Sequence, residues 1–235
     1  MNMRFLRRVV SSLPMDWQSE LKRIHFRRRI NRGTFVSDEP EFSILSRIVS
    51  RGDWVVDIGA NVGFYTKRLA ELVGNEGRVI AFEPVPETFV LLVNNLESCG
   101  INNVTLINTA VSDITGVVGM AVPKYSDTGQ RNYYQAHIAS SIESELQVLT
   151  VSLDAMRIPK TVGLIKIDAE GHEILVLKGM QETLRRDHPL LIVEMNHREV
   201  WELLESLDYV GIRLPGSPNT VFHRNDLRWE DLVKY

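Results

Sequence analysis

The sequence predicts an α/β fold with a doubly wound, mostly parallel sheet, and two observations carry this prediction. Apolar runs typical of buried strands alternate with segments of helical periodicity along most of the chain. The first run leads directly into a turn that contains two glycines. We expect a single domain at residues 34–235, preceded by a basic helical extension at residues 1–33. The 235 residues, of which 44% are hydrophobic, are enough to bury one core.

The predicted elements follow one another in the order that such a sheet requires. Strands are expected at residues 54–57, 78–82, 103–108, 162–168 and 189–194, with two short ones at 210–214 and 220–223. Helices are expected at residues 62–73, 86–99, 173–186 and 199–207. Pro86 suits the first turn of a helix, and glycines suit the ends of the first two helices, at Gly74 and Gly100. Because a tight turn separates the two short strands, the last strand is expected to be antiparallel.

One segment, residues 114–150, interrupts the alternation. Val117–Val122 and Leu146–Leu153 are expected to pair as antiparallel strands, which gives a β-hairpin-like insertion before the fourth strand. The residues between these strands include Lys124, Tyr125, Arg131, Tyr133, Tyr134, His137, Ser140 and Ser141. Aromatic and hydroxyl side chains suit stacking on a sugar and hydrogen bonding to it. Long loops in compact domains are often functional, so we expect a substrate lid rather than a plain surface excursion.

Composition limits the cell compartment and the class of protein. Cys99 is the only cysteine, which excludes an intrachain disulfide and a cysteine metal cluster and fits a reducing compartment. No apolar run approaches the roughly 18 residues of a membrane-spanning helix, and the N-terminus lacks the pattern of a secretory signal. We therefore expect a cytoplasmic protein.

Positive charge is concentrated at the N-terminus. Residues 1–33 hold nine basic side chains against two acidic ones, a net charge of +7; the whole chain carries −3, so the remainder carries −10. Trp17, Leu21 and Ile24 fall on one face of a predicted helix, beside basic residues. This pattern predicts peripheral contact with an anionic membrane or a lipid-linked substrate, and a solvated helix is the alternative. Nucleic acid is not expected as a partner, because the acidic remainder offers no broad phosphate-binding surface.

The turn after the first strand has the residues of a ligand cradle. Asp57 ends the strand, Gly59 allows the positive φ of a tight turn, and Gly63 lets the next helix pack close to the strand. A pyrophosphate-binding turn would have glycines where Asn61 and Phe64 stand, and no P-loop sequence follows. The turn therefore suits a nucleoside ligand without phosphates better than it suits NAD.

An acidic residue follows the second strand. Glu83 lies 24 residues after Gly59, close to the roughly 20 expected of a carboxylate that binds a ribose diol. Pro84 biases the backbone of Glu83 toward an extended conformation, which sets the direction of the carboxylate. We expect Glu83→Ala to weaken cofactor binding severely and to leave the fold intact. The alternative is an exposed acid that caps the following helix.

Polar residues gather where the fourth and fifth strands end. Lys166 and Asp168 are two residues apart, so their side chains leave the same face of the strand. A buried lysine is costly unless it is paired, and Asp168 or Glu170 would be its partner. Glu194 and Asn196 end the neighbouring strand, so these groups are expected to share one edge of the sheet. Structural pairing is the alternative for Lys166 and Asp168, and the clustered carboxylates are also candidates for binding Mg²⁺.

Four blocks of the sequence together resemble the FkbM-type methyltransferases. In chain order they are Asp57-Ile-Gly-Ala-Asn-Val-Gly63, Phe82-Glu83-Pro84, Asn108-Thr-Ala-Val-Ser-Asp113 and Ile165-Lys-Ile-Asp-Ala-Glu-Gly171. The resemblance covers about Gly52 to Asn196 and departs slightly at Ala169, where the family commonly has valine. It implies a class I methyltransferase fold, Rossmann-like, that uses S-adenosylmethionine (SAM). The acceptor it implies is a small molecule or saccharide, typically a sugar or natural-product hydroxyl that becomes O-methylated.

The resemblance also implies roles for individual residues. The cofactor-binding residues would be Asp57, Gly59, Ala60, Asn61, Gly63, Phe64, Glu83, Pro84, Ala110 and Asp168. Within this set, Glu83 would bind the ribose hydroxyls and Ala110 would border the adenine. The catalytic residues are expected from the polar strand ends and not from the resemblance: they are Asp168, Lys166, Glu170 and Glu194, with Asp168 as the base or the group that orients the acceptor. An NAD-dependent Rossmann enzyme and a non-catalytic binding module remain the alternatives.

Overall fold

The structure, a computed structural model, describes residues 13–126, 129, 131–139, 144, 146–194 and 197–225 of the chain. Its strands, numbered in chain order, are β1 (Trp54–Ile58), β2 (Arg78–Phe82), β3 (Val104–Ile107), β4 (Ala110–Val111), β5 (Gly116–Ala121), β6 (His137–Ile138), β7 (Leu146–Val151), β8 (Val162–Ile167), β9 (Leu190–Glu194), β10 (Tyr209–Arg213) and β11 (Asn219–Arg224). Its helices are α1 (Met15–Asn31), α2 (Pro40–Ile48), α3 (Phe64–Val73), α4 (Pro86–Ser98), α5 (Glu173–Lys178), α6 (Gln181–Asp187) and α7 (Arg198–Glu205).

A seven-stranded sheet lies at the centre, in the order β3-β2-β1-β8-β9-β11-β10. Neighbouring strands are parallel except at β11, which runs antiparallel to both β9 and β10. The strand order reverses beside β1, since β2 lies on one side of it and β8 on the other. Such a switch point leaves a crevice at the carboxyl ends of the strands. The predicted doubly wound, mostly parallel sheet with an antiparallel last strand is confirmed.

Helices cover both faces of the central sheet because its inner strands are apolar on both sides. Two neighbouring residues of β1 show this, since Val55 and Val56 are fully buried and point to opposite faces. Val56 packs in a cluster with Leu177 of α5 and Leu204 of α7. Val55 packs in another cluster with Leu69 of α3. Each such side chain contributes roughly 1.5–3 kcal/mol through burial, so the two layers of helices hold the sheet rigid.

The insertion forms a second, smaller sheet in the order β4-β7-β5-β6. Strands β5 and β7 pair antiparallel, with Val117 opposite Leu149, so the predicted hairpin-like pair is confirmed. The edge strands β4 and β6 have only two residues each, too few for a periodic pattern to predict them. Met120 and Val148 of the second sheet pack with Val85, which follows β2. The insertion is therefore anchored beside the carboxyl end of the central sheet.

One helix prediction is wrong in its extent. The single helix expected at residues 173–186 is two helices, α5 and α6, separated at Gly179 and Met180. A Cβ at Gly179 would lie 1.9 Å from the carbonyl oxygen of Ser112, so the chain breaks where it passes against another backbone segment. Met180 is buried at the break and continues the apolar pattern. Periodicity alone therefore cannot reveal the interruption.

Helix α1 packs on the outside of the domain through one buried aromatic side chain. Phe26 lies in a small apolar cluster with Phe35, Val62 and Leu91. The helix covers part of the extension predicted at residues 1–33, of which residues 1–12 lie outside the described part of the chain. The division between extension and domain stays a prediction. Of the helices that the structure describes, none combines the length and the apolar character that crossing a membrane requires.

Candidate active site

The turn between β1 and α3 brings three chain segments into close contact. Gly59 has a φ of 76°, and its N–H donates to the carbonyl oxygen of Phe82 at the end of β2 (3.0 Å). A Cβ at Gly59 would lie 1.9 Å from the carbonyl oxygen of Asp168, so a side chain does not fit there. Gly63 has a φ of 98°, and its Cβ would lie 2.7 Å from Leu92 Cδ1. The close packing predicted for Gly63 is therefore with α4 rather than with the strand.

Glu83 is held at the end of β2 by two backbone groups. The N–H of Asn61 donates to Oε2 of Glu83 and the N–H of Val85 donates to Oε1, each at 2.9 Å. Asn108 adds a third restraint, since its amide donates to the carbonyl oxygen of Glu83 at 2.8 Å. Glu83 is 5% exposed, and burial raises its pKa to about 7 although the two N–H groups lower it. Both carboxylate oxygens keep lone pairs for a ligand. The alternative of an exposed capping acid is wrong in its exposure, although the carboxylate does accept a hydrogen bond from Val85, the residue before α4.

A cleft opens beside Glu83, between the carboxyl ends of β1, β2 and β8 and the second sheet. It encloses about 630 Å³, part of which is open to solvent. The predicted site residues that line it are Gly59, Asn61, Glu83, Pro84, Ala110, Asp168 and Glu170. The opposite wall is largely apolar and includes Val85, Met120 and Ile138. A polar edge facing an apolar wall suits a ligand that has both a sugar and an aromatic base.

Asp57 lies beneath the turn rather than in the cleft. Its Oδ2 accepts a hydrogen bond from the Thr66 hydroxyl at 2.6 Å, and the side chain is fully buried. Burial raises the pKa of Asp57, and the nearby Lys166 opposes this shift. Oδ1 of Asp57 has no hydrogen-bond partner among the residues that the structure describes. Asp57 therefore supports the turn from below, and its assignment to the cofactor stays a prediction.

Lys166 is the buried cation of the site. Its Nζ lies 3.0 Å from Oδ2 of Asp168 and 4.7 Å from the centroid of the Tyr65 ring, so the predicted ion pair is confirmed. Burial disfavours the charge of Lys166, but the carboxylates of Asp168 and Asp57 outweigh burial and raise its pKa. Asp168 lines the cleft and Lys166 does not. Lys166 therefore adjoins the cleft through its contact with Asp168.

Two further carboxylates adjoin Asp168. Burial, the charge of Asp168 and a hydrogen bond with Asp168 raise the pKa of Glu194 to about 7. Burial likewise raises the pKa of Glu170, and the charges of Asp168 and Glu173 add to the shift. Asp168 and Glu194 are therefore in hydrogen-bond contact where the neighbouring strands β8 and β9 end. Asn196, expected at the same edge, lies outside the described residues.

The site offers no support for the Mg²⁺ hypothesis. Within the described part of the chain, no group of three or more acidic, histidine or cysteine side chains is placed to hold a metal ion. The contact made by Asp168 is instead with the ammonium group of Lys166. The carboxylates at this edge therefore remain candidates for proton transfer and for orienting a substrate.

Besides Asp57, three predicted cofactor residues do not line the cleft: Ala60, Gly63 and Phe64. Ala60 is buried behind the turn. The ring of Phe64 faces α1, with its centroid 4.4 Å from that of Phe35 and 4.7 Å from the guanidinium carbon of Arg29. The assignment of these residues to the cofactor stays a prediction.

Two residues of the predicted lid reach the cleft. Tyr133 and His137 line it, and the Tyr133 hydroxyl donates to the carboxylate of Glu87 on α4 at 3.1 Å. Ser140 and Ser141, which were expected to belong to the same lid, lie outside the described residues. The position of Tyr133 and His137 is compatible with a lid, and that role stays a prediction.

Sequence patterns placed His172 near this edge only as a surface or supporting residue and missed it as part of the cleft lining. His172 follows the fourth sequence block directly and lines the cleft beside Glu170. Its Nε2 lies 2.9 Å from the hydroxyl oxygen of Ser112, and burial lowers its pKa. The imidazole is therefore neutral near pH 7. Its position next to Gly171 was the available signal, because the end of β8 faces the cleft.

Sequence patterns also missed a buried polar network behind Lys166. The carboxylate of Glu41, fully buried at the start of α2, accepts hydrogen bonds from the side chains of Tyr65, Ser217 and Asn219. The Tyr65 hydroxyl also lies 2.5 Å from Oε2 of Glu39, and burial together with this hydrogen bond raises its pKa. The partners come from three separate elements, so no spacing in the sequence signals the network.

The fold and the site together define the class of protein. A seven-stranded sheet with one antiparallel strand, a glycine turn after β1 and an acid after β2 is the arrangement of the class I methyltransferases. The chain belongs to the FkbM methyltransferase family, since the family described as "Methyltransferase FkbM domain" matches residues 57–210. The resemblance found in the four sequence blocks is therefore confirmed.

Named relatives agree with this membership. The chain is similar to hexuronic acid methyltransferase AglP of Haloferax volcanii, with 28% identity over 148 residues, which are 61% of this chain and 56% of that protein. The chain thus matches little more than half the length of this relative. In fold it is similar to methyltransferase FkbM from Methylobacillus flagellatus KT, with a TM-score of 0.53 and 16% identity over 86% of this chain and 59% of the other. It is also similar to a methyltransferase from Geobacter sulfurreducens, with a TM-score of 0.50 and 15% identity over 95% and 96% of the two chains.

Proposed function

We propose that this protein is a SAM-dependent methyltransferase that methylates a hydroxyl group of a saccharide. The observation that carries the proposal is the position of Glu83, a buried carboxylate that two backbone N–H groups hold at the edge of a cleft lined also by Asp168. Membership of the FkbM methyltransferase family supports methyl transfer. The name of the relative AglP, a hexuronic acid methyltransferase, supports a sugar as the acceptor.

The residues around the turn fit a nucleoside better than a pyrophosphate. Asn61 carries a side chain where a pyrophosphate-binding turn has a glycine, and its Oδ1 is buried without a hydrogen-bond partner among the described residues. Glu83 would accept hydrogen bonds from the ribose hydroxyls, and the wall at Val85 and Met120 would contact the adenine. When bound, SAM supplies a reactive methyl group on a positively charged sulfur.

The acidic edge of the cleft would act on the acceptor. The carboxylate of Asp168 would accept the proton of the acceptor hydroxyl while the new O–CH₃ bond forms and the bond between the methyl group and the cofactor's sulfur breaks. A placed base of this kind contributes roughly 10²–10⁴-fold. Lys166 holds Asp168 in position through the 3.0 Å ion pair. Glu194 would add a second restraint on Asp168 through their hydrogen bond.

Calorimetry separates the proposed cofactor from the alternative one. The protein is titrated with S-adenosylhomocysteine, the demethylated product, and in parallel with NAD. Heat of binding with the first compound alone supports the proposal. Heat with NAD alone would mean that the cleft accommodates a dinucleotide in spite of Asn61, and the methyltransferase proposal would fail.

A transfer assay then tests the acceptor. Labelled SAM is supplied with a panel of saccharides that carry free hydroxyls, with and without a uronic acid carboxylate, and the labelled position is identified. Label that resists mild base is an ether and supports O-methylation of a hydroxyl. Label released as an ester would show that a carboxylate is the acceptor, and repetition with a chelator tests whether Mg²⁺ takes part.

Asp168→Asn tests the proposed base. The substitution keeps an oxygen for the ammonium group of Lys166, so we expect affinity for S-adenosylhomocysteine to change little. Turnover should fall by roughly 10²–10⁴-fold because the proton acceptor is gone. Asp208→Asn is the matched control, since Asp208 is exposed and does not line the cleft. Equal turnover in the Asp168 variant and the wild type would mean that alignment alone drives the reaction.

A further inference from the structure

We propose that the outward face of α1 docks on an anionic membrane surface. This inference goes beyond the proposed function and does not depend on it. It starts from three apolar side chains that the fold leaves in solvent: Trp17 is 65% exposed, and Leu21 and Ile24 are each 38% exposed. Their spacings of four and three residues place them on one face of the helix. That face is opposite to Phe26, which is 6% exposed and packs into the domain.

Basic side chains continue the same face. Arg28 follows Ile24 by four residues, and Arg27 lies beside it; both are exposed. Within the residues that the structure describes, no acidic side chain pairs with either guanidinium group, whereas Arg23 has a partner in Glu20 at 3.5 Å. The outward face therefore joins an aromatic and aliphatic ridge to cationic groups, the combination that binds the boundary between lipid headgroups and acyl chains.

The charge distribution favours a membrane over the other occupants of such a face. A second copy of the chain would present the same positive surface, so like charges would oppose a symmetric contact through α1. Nucleic acid would bind the arginines through its phosphates, but this interaction does not explain the exposed leucine and isoleucine side chains beside Trp17. An anionic bilayer accommodates both, since its headgroups attract the guanidinium groups and its acyl region accepts the apolar ones.

Helix α1 adjoins the cleft on the side that faces away from the docking face. Lys22, on the inward flank of α1, has its Nζ 5.5 Å from the centroid of the Tyr133 ring. Tyr133 lines the cleft and donates a hydrogen bond to Glu87. A bilayer bound to the outward face would therefore be separated from this part of the cleft by about the diameter of one helix, roughly 10–12 Å.

Vesicle sedimentation tests the proposal with the full chain and without any activity measurement. Vesicles of phosphatidylcholine alone are compared with vesicles that contain about one-third phosphatidylglycerol, at low and high salt. We expect binding only to the anionic vesicles, and weaker binding at high salt. Arg27→Gln combined with Arg28→Gln should weaken the binding by roughly fivefold for each arginine. Trp17→Ser combined with Leu21→Ser should also weaken vesicle binding relative to the wild type. Its thermal unfolding should stay unchanged, because both side chains are exposed.

Matched controls remove the same chemistry from other surfaces. Ile114→Ser combined with Leu149→Ser removes two side chains that are 58% and 59% exposed. Arg157→Gln combined with Lys160→Gln removes two exposed positive charges, and neither pair should change vesicle binding. Absence of binding to anionic vesicles at low salt would overturn the proposal, as would equal losses in the α1 variants and the controls. A dimer that Trp17→Ser dissociates, or a chain that binds RNA but not vesicles, would also overturn it and identify the occupant.

Discussion

Replacing Glu83 with glutamine tests the centre of the proposed cofactor site. Glutamine keeps the size of the side chain and one carbonyl oxygen, but it removes the charge that two ribose hydroxyls would share. Hydrogen bonds to a charged group contribute about 1.5–3 kcal/mol each and neutral ones about 0.5–1.5, so the two bonds together lose roughly 2–3 kcal/mol. The affinity for S-adenosylhomocysteine should therefore fall by about 30- to 150-fold.

Glutamine is a better probe than alanine because its carbonyl oxygen still accepts one of the two backbone hydrogen bonds that the carboxylate accepts. The other backbone N–H then faces the new amide group, so the free energy of unfolding is measured for both variants. The N–H groups of Asn61 and Val85 both donate to Glu83 in a site that is almost fully buried. Alanine would leave both donors without an acceptor, at a cost of about 1–3 kcal/mol each. The expectation that Glu83→Ala leaves the fold intact therefore needs correction: we expect its free energy of unfolding to fall as well.

The pH dependence of binding gives a second measurement on the same residue. Burial raises the pKa of Glu83 to about 7, so its ionised fraction rises from roughly one-tenth at about pH 6 to nine-tenths at about pH 8. Affinity should increase by about tenfold over that range in the wild type and not in Glu83→Gln. Stability changes in the opposite direction. Because the folded state keeps this proton above the unfolded pKa, the Glu83 contribution to the free energy of unfolding falls as the pH rises toward 7.

Calorimetric titration of the wild type and Glu83→Gln at the two pH values measures both effects. Glu97→Gln, an exposed position on α4, is the control for loss of one negative charge. Any protonation of the ligand itself affects all three proteins equally and cancels in the comparison. Equal affinities of the wild type and Glu83→Gln at the higher pH would refute the placement of the ribose on Glu83.

Two further substitutions test the architecture of the site. Gly59→Ala places a methyl group on the carbonyl oxygen of Asp168, so we expect cofactor binding to be lost and the free energy of unfolding to fall by more than the roughly 1–2 kcal/mol of left-handed strain. Gly100→Ala is the control for the strain alone, because Gly100 has a φ of 68° and no atom lies within 4 Å of the new Cβ. Equal decreases in the free energy of unfolding of the two variants, measured by chemical denaturation, would contradict the clash. Glu41→Ala leaves the buried Asn219 amide and the half-buried Ser217 hydroxyl without this acceptor and should lower the free energy of unfolding by at least about 2 kcal/mol. Glu39→Ala, at a half-buried position, removes only one of the two acceptors of Tyr65 and should cost clearly less in the same assay. Equal losses in the two variants would contradict the network.

The sequence by itself determined the central sheet and showed that the polar site residues lie at the carboxyl ends of its parallel strands. Trp54–Ile58 is apolar and β-branched enough to predict a buried strand, and Gly59 after it predicts a tight turn with a positive φ. Glu83 and the Lys166–Asp168 pair were predicted from position alone, because the carboxyl ends of parallel strands meet at one edge. These features depend on local chemistry and on spacing along the chain, which a sequence contains.

Only the tertiary structure decided which side chains share a space. Phe64 follows the turn but faces Arg29 on α1, and Gly179 interrupts a continuous apolar pattern because a distant backbone passes against it. The second sheet supplies a wall of the cleft, and Glu41 finds its partner Asn219 at the far end of the chain. The physical reason is the same in each case. Periodicity records whether a side chain is buried, whereas its neighbours are set by contacts between elements that are far apart in sequence.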